Sequence, residues 1–303
     1  MAVLGIDQGG SGTRALILDE KGNQLGQGNA SGGCHAVIGM EAAMELVSEA
    51  VGQALEQAKI PIETITSAAA GLTGADWPHE YGLLWQGLKK ALGIDVHVVN
   101  DSIIALHAET SGPGIVVCAG SGMNCAVRSP EGATYVFGYA VRDCDQGGGA
   151  LGSDVLWAVI DAHSGKGKLT ALTDRLLKRY GCADADELLM RWVGRKLPEP
   201  PHHLMSLLND TIAGGDEVAI ALAEDFGRRM AAYASAALRR YGMESSDTLI
   251  VLAGGVWRHA STCMVVAFQT TIAAVAPRAR ILVTRKLPVD GAARMALDRC
   301  TLF

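Results

Sequence analysis

The sequence predicts an α/β protein built from two similar lobes. A pattern of strand, glycine turn and strand occurs twice, and amphipathic helices alternate with short apolar strands through the rest of the chain. The length of 303 residues exceeds that of one ordinary domain, which has roughly 100 to 200 residues. Two lobes with a cleft between them are therefore expected, and breakers near residue 112 divide the chain into residues 1–112 and 113–303.

The first copy of the pattern opens the chain. Residues 3–6 and 14–18 are predicted strands on either side of a glycine turn. A reverse turn at residues 19–23 then leads into a third strand that begins at Gln24. The first lobe is thus expected to begin with an antiparallel meander.

The second copy starts more than a hundred residues later. It places strands at residues 115–118, 124–128 and 134–137. Its first turn contains glycines, and its second turn contains a serine, a proline and a glycine. The order of strands and turns is the same as in the first copy. The second lobe is expected to open on the same kind of meander.

Apolar residues spaced three and four apart predict helices in the remaining sequence. The predicted helices cover residues 40–58, 78–91, 103–109, 149–163, 168–180, 185–193, 216–241, 259–271 and 291–299. Short apolar runs predict two further strands, at residues 248–252 and 280–283. Strands that alternate with helices in this way are typical of the α/β class.

Composition argues against several kinds of protein. The chain has no run of about 18 apolar residues that could span a bilayer, and its net charge of −6 disfavours binding to nucleic acid. The first residues read as a strand and not as a leader peptide, so a cytoplasmic location is expected. The seven cysteines and eight histidines have neither disulfide-framework nor zinc-site spacing.

The first glycine turn matches the letters of the dinucleotide fingerprint G-x-G-x-x-A at residues 10–15. That fingerprint requires a helix directly after the turn and an acidic residue about 20 positions further on. Here a short strand follows the turn, and residues 28–31 contain no acidic side chain. A dinucleotide-binding domain is therefore rejected, and the sequence contains no P-loop motif.

A glycine turn between two strands can still bind phosphate. Successive backbone N–H groups converge on an anion there, and glycine lets phosphate oxygens approach closely. Ser11 and Thr13 add hydroxyl donors beside the first turn. The alternative is an ordinary hairpin in which glycine supplies unusual backbone angles. The second copy of the turn, together with Asp7 beside the first, favours phosphate binding.

Five segments in a fixed order carry a resemblance to a known family. They are GIDQGGSGT at 5–13, ND at 100–101, GSGMN at 120–124, DQGGG at 145–149 and GGV at 254–256. Together they resemble the bacterial glucosamine and N-acetylglucosamine kinases of the BadF/BadG/BcrA/BcrD-type ATPase group, within the sugar kinase, Hsp70 and actin superfamily. The resemblance implies a two-lobed, actin-like (ribonuclease H-like) ATPase fold with a cleft between the lobes.

The resemblance implies ATP and Mg²⁺ as cofactors. The first turn would wrap the ATP phosphates, and Asp7 would hold Mg²⁺, usually through water. The implied ATP-binding residues are Gly9, Gly10, Ser11, Gly12 and Thr13 in the first turn, Gly120 and Ser121 in the second, and Gly254 and Gly255 beside the adenosine.

The resemblance also assigns a catalytic residue and a sugar pocket. Asp101 would be the base that accepts the proton of the attacking hydroxyl, although Asn100, Asp101 and Ser102 are all good helix N-caps, which is its structural alternative. The implied sugar-binding residues are Thr73, Gly74, Asp101, Ser121, Gly122, Asn124 and Asp145. For Asp145 the alternative is a turn residue before three glycines.

Three residues depart from the family pattern in the sugar pocket. Cys34 stands where relatives commonly have an asparagine, and Met123 and Gln146 replace residues typical of the N-acetylglucosamine kinases. The form with Gln146 looks more like the specific glucosamine kinases. Whether these residues alter the specificity stays open at the level of sequence.

The expected activity is transfer of the γ-phosphate of ATP to a hydroxyl, that on C6, of glucosamine or N-acetylglucosamine. The expected substrate is therefore a small sugar. Because relatives are often dimers, the resemblance also implies a homodimer. Two alternatives stay open: a BadF-type ATPase that activates a dehydratase or reductase, and a sugar-sensing relative without turnover.

Overall fold

The computed structural model describes residues 1–197 and 201–300, and the predicted α/β class is confirmed in them. The strands are β1 (Ala2–Gly9), β2 (Gly12–Asp19), β3 (Gln24–Ser31), β4 (Ile65–Leu72), β5 (His97–Asn100), β6 (Gly114–Ala119), β7 (Met123–Arg128), β8 (Thr134–Val136), β9 (Leu249–Ala253) and β10 (Arg280–Val283). The helices are α1 (His35–Ile38), α2 (Met40–Ala58), α3 (Pro78–Leu92), α4 (Asp101–His107), α5 (Gly147–His163), α6 (Leu172–Tyr180), α7 (Ala185–Val193), α8 (Met205–Ala213), α9 (Glu217–Arg240), α10 (Gly255–Arg258), α11 (Thr262–Ala273) and α12 (Pro288–Cys300).

The chain forms two compact units. The first contains Met1–Val116, Cys125–Ala140 and the residues from Thr284 onward, and the second contains Val117–Asn124 and Val141–Val283. The C-terminal helix α12 therefore belongs to the first unit, where it packs against β1 and α4. The lobes inferred from the repeated pattern, residues 1–112 and 113–303, stay a prediction.

The first sheet has the strand order β3-β2-β1-β4-β5. The meander of β1, β2 and β3 is antiparallel, as predicted, whereas β1, β4 and β5 run parallel to one another. The carboxyl ends of parallel strands meet at one edge of a sheet. Asp7, Thr73 and Asp101 lie at or just beyond these ends, so this topology brings three of the predicted site residues to the same edge.

Helices α2 and α12 cover the first sheet. The apolar face of α2, which includes Ala43, Val47 and Ala54, is fully buried, because its apolar residues recur at helical spacing. Helix α12 packs so closely on β1 that a Cβ atom at Gly5 would lie 2.2 Å from the backbone nitrogen of Ala293. Glycine at position 5 is thus required by this approach and not by a turn.

The second sheet has the strand order β10-β9-β6-β7-β8. Strands β9 and β10 are parallel, and β7 and β8 form an antiparallel pair. In the second unit the long helix α9 packs against α5 and α11. The rings of Phe226, Trp257 and Phe268 are buried together there. No helix within the described residues is long and apolar enough to cross a membrane.

Local sequence patterns predicted many element bounds correctly. Helices α2 and α7 and strand β10 have the predicted bounds. Five helix starts were wrong by two residues or more. Helices α4, α5 and α12 begin earlier than predicted, at Asp101, Gly147 and Pro288. Helices α6 and α11 begin later, at Leu172 and at Thr262 after the short α10. A proline is tolerated in the first turn of a helix. Strands β4 and β5 and helices α1, α8 and α10 were not predicted.

We predict that Gly5→Ala destabilises the protein by about 1–3 kcal/mol, because the new methyl group forces α12 away from β1. Gly52→Ala is the matched control, since Gly52 lies on the exposed side of α2 and a Cβ atom there meets nothing within 4 Å. This control should be neutral or stabilise the protein by about 0.5–1 kcal/mol. Chemical denaturation measures both, and equal stability of the two variants would contradict the packing argument.

Candidate functional site

The first glycine turn is a two-residue hairpin. Strand β1 ends at Gly9 and β2 begins at Gly12, and these two residues pair directly. Gly10 and Ser11 form the exposed loop between them. A Cβ atom at Gly10 would have no neighbour within 4 Å, so the space above the loop is open. A glycine turn of this kind suits an anion, because successive backbone N–H groups can converge on it.

Gly32 and Gly33, which follow β3, pack against this turn. A Cβ atom at Gly32 would lie 2.3 Å from the backbone nitrogen of Gly12 and 2.4 Å from the carbonyl carbon of Ser11. The N–H of Gly33 donates to the carbonyl oxygen of Gly9 at 3.2 Å. The sequence reasoning missed this support, and the only local signal for it was the pair of adjacent glycines.

Thr13 lies differently from the exposed loop residues. Its side chain is fully buried, and its hydroxyl donates to the carbonyl oxygen of Ser31 at 2.8 Å. The hydroxyl therefore ties β2 to β3. The predicted contact between Thr13 and ATP stays a prediction.

Asp7 lies near the end of β1 and is almost fully buried. It faces Arg14 across the hairpin, with the Arg14 Nη1 atom 3.5 Å from its Oδ2 atom. Burial raises the pKa of Asp7 to about 6, Arg14 opposes the shift, and the charge of Asp290 adds to it. The arginine therefore compensates only part of the cost of burying this carboxylate.

Asp101 is the first residue of α4, directly after β5. The preceding Asn100 caps the helix, because its side-chain oxygen accepts a hydrogen bond from the Ser102 N–H at 2.9 Å. The alternative role of Asp101 as the N-cap is therefore wrong. Burial raises the pKa of Asp101 to about 7, and the charges of Asp7 and Asp76 contribute. A carboxyl with this pKa can take up a proton near neutral pH.

The carboxylates at this edge fit a magnesium ion. In residues 1–197 and 201–300, no three His, Cys, Asp or Glu side chains are grouped to hold a metal by themselves. Mg²⁺ does not require such a cage, because it is usually held by one or two carboxylates, waters and the phosphates of its substrate. The raised pKa of Asp7 means that its ionised form is undercompensated. A divalent cation beside it would supply the missing positive charge.

Thr73 and Gly74 follow β4 at the same edge. The Thr73 N–H donates to the carbonyl oxygen of Gln8 at 2.8 Å, which fixes this loop beside β1. Cys34 packs on the loop, with its Sγ atom 3.7 Å from the Thr73 carbonyl oxygen. Gly74 leaves the room for this sulfur, since a Cβ atom there would lie 2.8 Å from it. The departure at Cys34 thus touches both predicted sugar-binding residues.

The second glycine turn belongs to the second unit and joins β6 to β7. The N–H groups of Gly148 and Gly149, at the start of α5, donate to the carbonyl oxygens of Gly120 and Ser121 at 2.8 and 3.2 Å. The predicted turn residues are therefore held by the first turn of α5. Asn124, the second residue of β7, is partly exposed.

Gln146 also supports the second turn. Its side-chain oxygen accepts a hydrogen bond from the Met123 N–H at 3.3 Å, and its side-chain nitrogen donates to the Val141 carbonyl oxygen at 3.4 Å. Met123 is buried. Two departures from the family pattern, Met123 and Gln146, thus lie in contact with each other and shape the turn.

Asp145 is buried and held by two side chains of α9. Its Oδ1 atom accepts a hydrogen bond from Arg229 Nη1 at 3.0 Å, and its Oδ2 atom accepts one from the Tyr233 hydroxyl at 2.8 Å. Arg229 also forms ion pairs with Asp154 and Asp225. Asp145 is therefore more than a turn residue before three glycines, since its carboxylate accepts two side-chain hydrogen bonds. Each carboxylate oxygen keeps a further lone pair for a ligand.

Gly254 connects β9 to α10, and Gly255 is the first residue of α10. Gly254 has a φ of 105°, and a Cβ atom there would lie 2.3 Å from the Ala119 carbonyl oxygen. Only glycine meets both conditions. The predicted contact of these two residues with adenosine stays a prediction.

The fold is similar to that of a solved sugar kinase. A ROK family glucokinase from Streptomyces griseus, crystallised with glucose and AMPPNP, matches with a TM-score of 0.64 at 17% sequence identity. The match covers 98% of this chain and 100% of that chain. The actin-like ATPase fold expected from the sequence is confirmed by this likeness.

The chain belongs to the BadF/BadG/BcrA/BcrD ATPase family, whose model matches residues 4–293. This confirms the family resemblance carried by the five segments. ATP is accordingly the nucleotide that this family uses. The chain is also similar to two curated proteins over most of its length.

The two relatives are both named as kinases. An N-acetyl-D-glucosamine kinase from Dictyostelium discoideum is 24% identical over 312 residues, which cover 97% of this chain and 97% of the relative. Glucosamine kinase GspK from Vibrio cholerae is 28% identical over 224 residues, which cover 72% of this chain and 74% of the relative.

We predict that Asp101→Asn stabilises the free protein at pH 8. The folded-state pKa of about 7 lies above the ordinary value for aspartate, so the wild type loses stability as pH rises from about 4 to about 7 and keeps the lower stability above pH 7. The neutral amide avoids this cost, so we expect the free energy of unfolding at pH 8 to rise by about 0.5–2 kcal/mol.

The measurement is chemical denaturation at pH 8 and at pH 5.5. The gain should shrink at pH 5.5, where the wild-type carboxyl is protonated. Asp247→Asn, which changes an exposed loop carboxylate, is the control and should alter stability by less than about 0.5 kcal/mol. A gain that is the same at both pH values would contradict the burial of an ionising Asp101.

Proposed function

We propose that this protein is an ATP-dependent kinase that transfers the γ-phosphate to a hydroxyl, that on C6, of an amino sugar. The candidate acceptors are glucosamine and N-acetylglucosamine. The observation that carries the proposal is Asp101, a partly buried carboxyl with a pKa of about 7 at the same strand edge as Asp7. Family membership and the names of the two curated relatives support it.

Asp101 is the proposed base. Phosphoryl transfer needs a positioned acceptor and neutralised charge, with little covalent help from the protein. A carboxylate at the start of α4 can orient the acceptor hydroxyl and take its proton as the oxygen attacks phosphorus. A pKa of about 7 matches the operating pH, which is the best value for such a base.

Asp7 and the first turn are the proposed phosphate and metal site. The exposed N–H groups around Gly10 and Ser11 would bind phosphate oxygens, and Asp7 would hold Mg²⁺. When bound, Mg²⁺ neutralises phosphate charge. Arg14 lies beside Asp7 and keeps part of its carboxylate charge compensated before the metal binds.

The sugar contacts are proposed separately for each unit. In the first unit, Thr73 and Gly74 lie at the same strand edge as Asp101 and would contact the acceptor. In the second unit, Asp145, oriented by Arg229 and Tyr233, would accept hydrogen bonds from sugar hydroxyls. The other predicted contacts are those of Ser121, Gly122 and Asn124 with sugar, and of Gly120, Gly254 and Gly255 with ATP.

Location and assembly complete the proposal. A cytoplasmic location is proposed, as the sequence predicts, and a homodimer is proposed from the resemblance to the amino-sugar kinases. The test for assembly is sedimentation of the full chain, which should give twice the monomer mass.

We predict that amino sugars stimulate ADP release from Mg-ATP. The protein is incubated with a panel of hexoses, hexosamines and N-acetylhexosamines, and ADP release is coupled to a spectroscopic assay. Glucosamine or N-acetylglucosamine should give the highest kcat/KM, and the product should be a sugar phosphate by mass spectrometry. If no sugar stimulates ADP release, the kinase proposal is wrong, and a sensor or an activator of another enzyme takes its place.

We predict that Asp101→Asn lowers kcat by about 10²- to 10⁴-fold, the usual contribution of a general base. In the wild type, kcat/KM should fall as pH drops below about 7, because the base becomes protonated. The variant should lack this acidic limb. Asp247→Asn should keep both the rate and the limb, and a folded Asp101→Asn variant with near wild-type turnover would remove Asp101 from the mechanism.

A further inference from the structure

An aromatic groove lies in the first unit, and Asp76 forms part of its lining. It has a volume of about 740 Å³, which is within the usual range for small-molecule sites. The start of α3 forms one side, and β8 with the residues after it forms the other. The aromatic groove is lined by Asp76, Trp77, Pro78, Tyr81, Thr134, Tyr135, Val136, Phe137, Tyr139 and Ala140.

Two of its aromatic side chains form an exposed platform. Trp77 is 50% exposed and Tyr139 is 59% exposed. Their rings are stacked, with centroids 5.9 Å apart and planes inclined by 15°. The backbone N–H of Trp77 donates to Glu80 Oε2 at 2.7 Å, which holds the backbone of Trp77 at the start of α3. Exposed aromatic faces suit the C–H face of a sugar ring or a cation.

The polar groups of the aromatic groove are acidic. Asp76 lines it directly, and the buried Glu80 lies under its rim, with its Oε1 atom 3.4 Å from the Tyr139 hydroxyl. No lysine or arginine is among the described residues that line it. Burial, and then the charges of Glu80 and Asp76, raise the pKa of Tyr139. The groove therefore combines aromatic faces with negative potential.

Asp76 links the aromatic groove to the proposed catalytic residue. Its Oδ1 atom accepts a hydrogen bond from the Asn100 side-chain nitrogen at 2.8 Å, and Asn100 is the cap that precedes Asp101. The charge of Asp76 contributes to the raised pKa of Asp101. An acceptor with a hydroxyl at Asp101 thus lies within the field of Asp76.

We propose that the aromatic groove binds the protonated amino group and the apolar ring face of the acceptor. Asp76 is the counter-charge for the ammonium group, and the stacked pair of Trp77 and Tyr139 is the surface for the ring. This inference rests on the proposed kinase function and deepens it: the substrate is an amino sugar with a free amine. The N-acetyl derivative is neutral at this position and gains nothing from the acidic side of the groove.

The test compares sugars that differ at one substituent. Steady-state kinetics at pH 7 give kcat/KM for glucosamine, N-acetylglucosamine and glucose with the wild type and with Asp76→Asn. The wild type should prefer glucosamine to both neutral sugars. Asp76→Asn should lower the ratio of kcat/KM for glucosamine to that for glucose by at least about tenfold, because it removes the counter-charge.

The ratio separates amine recognition from a merely structural role. If Asp76 acts only through Asn100, its replacement lowers kcat/KM for all three sugars equally, and that result would overturn the proposal. A wild type that uses N-acetylglucosamine as well as glucosamine would also overturn it.

The platform is tested with a matched pair of tryptophan variants. Trp77→Ala should raise KM for glucosamine by about three- to tenfold through the lost ring and cation contacts. Trp157→Ala is the control, because Trp157 is also 50% exposed and packs edge-on against Trp192 in the second unit. The control should leave KM unchanged, and equal KM values for the two variants would contradict the platform.

Direct binding keeps the inference testable if the kinase proposal fails. Glucosamine should change the tryptophan fluorescence of the wild type and of Trp157→Ala, but not that of Trp77→Ala, and glucose should bind more weakly. This result without turnover would retain the groove and reject the kinase. No response to glucosamine, including the case in which a second copy of the chain covers Trp77, would reject the groove.

Discussion

Undercompensated negative charge at one edge of the first sheet is the constraint on which the site depends. Parallel strands β1, β4 and β5 end there, and their ends carry Asp7 and Asp101 with Asp76 nearby. Burial raises the pKa values of Asp7 and Asp101 to about 6 and about 7. Each carboxylate would be more stable beside a cation or with a proton. Kinase chemistry supplies both, as a magnesium ion and as the proton of the acceptor hydroxyl.

Close backbone packing holds this edge in place. Gly5 lets α12 approach β1, and Gly32 lets the chain after β3 pass directly beneath the first glycine turn. Asn100 is the N-cap of α4, because its side-chain oxygen accepts a hydrogen bond from the Ser102 N–H, and Asp101 is the first residue of that helix. In the second unit, hydrogen bonds from Arg229 and Tyr233 orient the carboxylate of Asp145. Both proposed sites thus consist of carboxylates oriented by neighbours.

Local signals in the sequence predicted the meander, α2, α7 and β10, because turns and helical spacing are short-range features. Strand β4 was missed because Ala68, Ala69 and Ala70 give it little strand propensity. The contacts of Asp145 join residues 84 and 88 positions apart in the sequence, so no local pattern could reveal them. The family segments located the candidate residues, whereas the pKa values and the aromatic groove required the three-dimensional structure.

A crystal structure with glucosamine and a non-hydrolysable ATP analogue tests the central claim most directly. The quantity to measure is the distance between the Asp101 carboxylate and the nearest acceptor hydroxyl oxygen. The account predicts that the C6 hydroxyl lies about 2.6–3.2 Å away, within hydrogen-bond reach of a general base. A bound acceptor with no hydroxyl within reach of Asp101 would contradict it.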